Sequence, residues 1–94
     1  MTGIDFSSLP GGELVLQGLE DLAAGRDSEA ALLVLIGAPR LRRLGLEIPE
    51  GSATVPEHQL YRLLLGRDSD SAHSRYNALI RRLVSFERAL ECAA

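Results

Sequence analysis

Seven consecutive residues, Ala30-Ala31-Leu32-Leu33-Val34-Leu35-Ile36, carry no polar side chain. In a chain of 94 residues such a segment has one stable destination, the centre of the core, with the other elements packed around it. At nine residues, the full apolar run from Ala30 to Ala38 is far short of the ~20 that span a bilayer. Periodicity alone does not separate a buried helix from a buried strand here. Three features select helix. Asp27 or Ser28 stands where an N-cap is needed, with Glu29 behind it to face the positive end of the helix dipole. Ala and Leu dominate the segment, and no other stretch reads as a partner strand.

The rest of the chain reads as helices around that centre. Residues 11–24 place Leu14, Val15, Gly18, Leu19, Leu22 and Ala23 on one face. Glu13, Gln17, Glu20, Asp21 and Ala24 fall on the other. Gly25 is the expected left-handed stop. The core segment is expected to run over residues 28–37 and to break at Gly37-Ala38-Pro39. A short helix over 39–44 follows, with Leu41 and Leu44 inward and Arg40, Arg42 and Arg43 outward. Residues 45–55 form a loop rich in turn formers (Gly45, Pro49, Gly51, Ser52, Thr54), pinned to the core by Leu46 and Ile48. Pro56 opens a helix over 56–65 that Gly66 stops. The last helix, 71–92, carries Ala72, Tyr76, Leu79, Leu83, Phe86 and Leu90 at alternating steps of four and three. With Ile80 and Val84 they cover an arc of about 160°. The expectation is a single all-α domain over residues 1–94, a compact bundle of four principal helices plus one short helix. Gly25-Arg26-Asp27-Ser28 recurs as Gly66-Arg67-Asp68-Ser69. The recurrence reads either as a duplicated helical hairpin or as the same helix-turn-helix chemistry used twice.

Composition removes several function classes. A net charge of −3 argues against a protein that coats nucleic acid or anionic membrane. All ten bases are arginine, and they are unevenly placed. Residues 1–29 carry −5, and residues 71–94 carry four arginines against Glu87 and Glu91. On the helical wheel Arg75 and Arg82 flank the apolar arc, whereas Arg81 and Arg88 lie behind it, so no single basic stripe forms. One cysteine, Cys92, excludes an internal disulfide framework and has no nearby base to activate it. His58 and His73 are fifteen residues apart, which gives no helical metal pair. Asp68 and Asp70 open like a calcium loop, but Ala72 holds the next ligand position. No cofactor or metal is expected. The acidic N-terminal stretch, with Asp5 and no base, is unlike a secretory signal, so the expected setting is cytoplasmic.

Glu87 is the anomalous residue, a carboxylate inside the apolar arc of the last helix. It requires a partner, and Arg40–Arg43 or Arg62 is expected to supply one. Fourteen residues of helix, about 21 Å, separate it from His73.

Two functional expectations follow. The first is a non-enzymatic protein acting through protein–protein contact, a homodimer built on the last helix with Leu79, Arg82, Phe86 and Leu90 at the interface. It rests on the width of the apolar arc, which exceeds the stripe one antiparallel neighbour covers. The alternative comes from Arg67-Asp68-Ser69-Asp70-Ser71-Ala72-His73. This Arg, polar residue and His spacing resembles the signature of the HEPN family of small all-helical proteins. The resemblance spans seven residues. It implies an RNA-acting or RNA-cleaving protein in which His73 serves as acid or base and Arg67 steadies phosphate charge. Tyr76 lies three places beyond His73 rather than the two of the family pattern.

Overall fold

A computed structural model describes residues 6–51 and 55–93. The readings that rest on Asp5, Ser52 and Thr54 lie outside these residues. The elements are a 3₁₀ turn, Phe6–Ser8, and four α-helices: α1 (Gly12–Ala23), α2 (Glu29–Arg43), α3 (Pro56–Arg67) and α4 (Ala72–Ala93). No strand occurs among the described residues. The fold is an all-α bundle. α4 is the longest element, its 22 residues rising about 33 Å.

α2 is the hub, packing against α1, α3 and α4. Ala31, Leu33 and Val34 are wholly buried, and Ala30 and Leu32 nearly so. Around them stand Val15 and Leu22 of α1, Leu60 and Leu64 of α3, and Ala72, Leu83, Phe86 and Leu90 of α4. Leu46 and Ile48 are buried and hold the loop down, as their spacing implied. Arg42 helps by donating to the Ile48 carbonyl at 3.1 Å.

The α1–α2 joint follows the sequence closely. Gly25 takes φ 77°, and Ser28 caps α2, its Oγ accepting from Ala31 N at 3.1 Å. Asp21 does not lie on the solvent face expected of it. It is 5% exposed, and its carboxylate organises the turn. Oδ1 accepts from Arg26 Nε (3.0 Å), Arg26 Nη2 (2.8 Å) and Gln17 Nε2 (3.1 Å), and Oδ2 accepts from Ser28 Oγ. The Ser28 hydroxyl and the Arg26 guanidinium hold the Asp21 carboxyl below the usual aspartate range. The reason is local. A carboxylate at the end of α1 sits within reach of the turn that Gly25 creates, so burial comes with its partners supplied.

Three expected boundaries are corrected. The break at Gly37-Ala38-Pro39 and the separate helix over 39–44 are absent, because α2 runs through Pro39 to Arg43. An interior proline costs about 3 kcal/mol. Here Pro39 faces solvent while Leu41, two residues on, is 0% exposed. Continuing the helix buries Leu41, which offsets most of that cost. α2 ends instead at Gly45, φ 102°, where Leu46 N donates back to the Leu41 carbonyl at 3.0 Å. Gly37 serves close approach rather than a break. A Cβ there would meet Leu83 Cδ1 at 2.9 Å and Glu87 Oε2 at 3.0 Å.

Gly66 is the third correction. It lies inside α3, which continues to Arg67, and its φ is not positive. Asp68 ends the helix, and its Oδ1 accepts from Asp70 N at 3.1 Å. The two Gly-Arg-Asp-Ser segments therefore adopt different conformations, and the duplicated-hairpin reading falls with them.

Candidate contact surface on the C-terminal helix

The apolar arc of α4 is largely used within the chain. α2 and α3 both pack against it, and the N-terminal 3₁₀ turn closes its far edge. Phe6 meets Phe86 edge-on, with centroids 6.2 Å apart and planes at 76°. At the α3 side Tyr61 and Tyr76 lie 5.6 Å apart. Phe86 is 0% exposed and Leu90 2%. Of the four residues expected at an interface, these two have their side chains buried in the chain's own core. An arc this wide is either straddled by two helices of the same chain or left in part for a second copy, and here α2, α3 and the 3₁₀ turn straddle it.

Leu79 is half-buried, packed against the edge of the core, and Arg82 is exposed. With Arg75 and Ala78 they line a shallow groove of about 190 Å³ along one edge of α4. This spacing (75, 78, 79, 82) is one side of two helical turns.

Glu87 has the partner its position demanded. Arg40 reaches across from α2, placing Nη1 3.4 Å from Glu87 Oε1 and Nη2 3.4 Å from Glu91 Oε1. The Glu87 carboxyl is buried against Gly37 and Leu83. Loss of solvent pushes its pKa above the ordinary value, and Arg40 only partly opposes this. Both acids of α4 thus turn toward Arg40. Arg81, Arg82 and Arg88 are exposed, with no ion-pair partner among the described residues.

The residues of the HEPN-like segment are engaged elsewhere. Arg67 lies 2.9 Å from Glu29 Oε2, and Arg75 approaches the same carboxylate at 3.8 Å. Glu29, expected to serve only the α2 dipole, therefore also ties α2 to α3 and α4. His73 is exposed, and its Nε2 lies 3.2 Å from Asn77 Nδ2. No hydrogen bond or ion pair joins Arg67 to His73.

No cluster of three metal-ligating side chains occurs among the described residues, and none of their helices is long and apolar enough to cross a membrane. No family model, curated protein or solved structure matches the chain.

Proposed function

We propose that this chain works by protein–protein contact, associating with a second copy of itself through the edge of α4 that carries Leu79 and Arg82. One observation carries the reading. Leu79, a large apolar side chain, borders an open groove beside Arg82, a guanidinium with no partner among the described residues. Arginine is enriched at contact surfaces, and a partly exposed apolar side chain beside it supplies area that association can bury. Phe86 and Leu90 support this edge from behind by fixing α4 on the core. No chemistry by the chain itself is proposed. A cytoplasmic setting accords with the exposed free thiol of Cys92.

Sedimentation equilibrium on the native chain and on Leu79→Glu tests the reading. The native chain is expected to show a concentration-dependent rise to twice 10.2 kDa. Leu79→Glu should stay folded and monomeric. A native chain that remains monomeric to millimolar concentration contradicts it, as does a Leu79→Glu dimer of unchanged affinity.

A further inference from the structure

The solvent face of α4 is basic along its length. Arg75 and Arg82 stand seven residues apart on one side of it, and Arg81 and Arg88 stand seven apart on the other. Seven residues are two turns, about 10.5 Å of rise. Between the two rows run Ala78 and Ser85, short and exposed, about 60° around the helix from each. α4 places no acid on this face. Its two carboxylates, Glu87 and Glu91, are drawn to Arg40 of α2 instead. Arg81, Arg82 and Arg88 make no ion pair or hydrogen bond among the described residues. Arg75 stands 3.8 Å from Glu29, a carboxylate that Arg67 already holds at 2.9 Å.

Four guanidiniums with one shared counter-charge thus gather on a single face of a chain whose net charge is −3. That face attracts anions which the rest of the surface repels. A second copy does not satisfy it, because a two-fold axis through this face sets arginine against arginine. Nucleic acid fits it less well than protein. No phenylalanine or tyrosine among the described residues is exposed to stack on a base, and the net charge opposes a polyphosphate. Two rows at two-turn spacing match carboxylates at the same spacing on another helix, laid over Ala78 and Ser85 with acids to either side. We propose that α4 binds an acidic helical segment of a different protein along this face. The proposal goes beyond the contact of copies through the Leu79 edge, which lies past Arg75 and Arg82 on the core side.

Fluorescence anisotropy with a labelled synthetic helix of about 21 residues, close to six turns, tests it. The peptide carries Ala at steps of seven with Glu on both sides. The comparison probes are the same peptide with every Glu replaced by Gln, the same residues reordered so that the acids circle the helix, and a labelled RNA duplex. The acidic helix is expected to bind and the Gln peptide not to. The double variant Arg81→Glu, Arg88→Glu leaves the Leu79 edge intact. It should bind the acidic helix at least about tenfold more weakly, while melting as the native chain does and keeping its self-association in sedimentation. In 1 M NaCl, where the screening length is about 3 Å, the native complex should weaken in the same direction. If the reversal impairs folding, Arg81→Gln, Arg88→Gln should still lose about threefold or more. An acidic helix that does not bind, equal binding of the reordered peptide, or tighter binding of the duplex overturns the proposal and leaves the contact of copies standing. A dimer lost in Arg81→Glu, Arg88→Glu assigns the face to a second copy and overturns it as well. A native chain that binds the acidic helix but never dimerises upholds the proposal and overturns the contact of copies alone.

Discussion

Gly25 and Gly66 lie in the same four-residue sequence, and a Cβ at either position would meet nothing within 4 Å. Only backbone conformation separates them, so alanine at each isolates that variable. At Gly25, φ 77° puts an L side chain in the left-handed region at about 1–2 kcal/mol. The reduced freedom of the unfolded chain returns about 0.4–1 kcal/mol. The net expectation is a loss of about 0.5–1 kcal/mol. At Gly66 the helix is continuous and the position exposed, so alanine should add about 0.5–1 kcal/mol through helix propensity. An unfolding entropy of about 2.1 cal/mol/K per residue makes 1 kcal/mol roughly 5 °C for a chain of this size. Calorimetry should therefore find Gly25→Ala lower and Gly66→Ala higher in Tm, separated by about 5–10 °C. If both variants melt lower by the same amount, Gly66 is a left-handed stop after all and α3 ends before Arg67. If both melt higher, the turn at Gly25 is wrongly described.

Three further outcomes follow from the packing and the charges. Glu87 binds its proton more tightly in the folded chain, so its contribution to stability is greatest below the unfolded value near 4.5 and declines as pH rises through the raised native one. Arg40→Ala should accordingly cost more at pH 7 than at pH 4, about 1–2 kcal/mol at the former given a guanidinium 37% exposed, and Glu87→Gln should reduce the difference, with Glu91 left as partner; equal costs at both pH values contradict the pairing. Asp21 has the opposite sign: its lowered pKa adds stability above its unfolded value of 3.8 that is lost as pH falls toward the native one, so Asp21→Asn should be less stable at neutral pH and should flatten the acid limb of an unfolding titration. Phe86→Ala should cost about 3–5 kcal/mol in denaturant unfolding, and an unchanged midpoint would return Phe86 to the surface.

The sequence was most informative where local chemistry and burial agree. The apolar run Ala30–Ile36, the Gly25 turn, the proline at the start of α3 and the periodicity of α4 each point to one structure, and each is found; of the two cap candidates, Asp27 and Ser28, Ser28 is the one used. Reading failed where a distant contact outweighs a local preference. Pro39 stays in a helix because Leu41 lies beyond it. Gly37 is kept small by Leu83 and Glu87, which arrive from another helix, and no pattern around residue 37 announces them. Asp21 falls on the polar side of the α1 wheel, and only the turn it organises takes it out of solvent. The need for a partner at Glu87 was legible from its place in the apolar arc, but the choice of Arg40 depended on how α2 and α4 cross. The same limit governs the candidate surface. Leu79, Arg82, Phe86 and Leu90 share one side of the wheel, and tertiary packing buries Phe86 and Leu90, leaves Leu79 half-buried at the core's edge and exposes Arg82.

A dilution series of amide correlation spectra on the isotopically labelled native chain tests the self-contact of the α4 edge most directly. Between micromolar and millimolar protein, the resonances of Arg75, Ala78, Leu79 and Arg82 should shift together along one binding curve. Those of Leu33 and Leu64, buried in the core, should hold still. Spectra that do not change with concentration would contradict the account, and so would shifts confined to the outer face of α3 around Arg62 and Leu65.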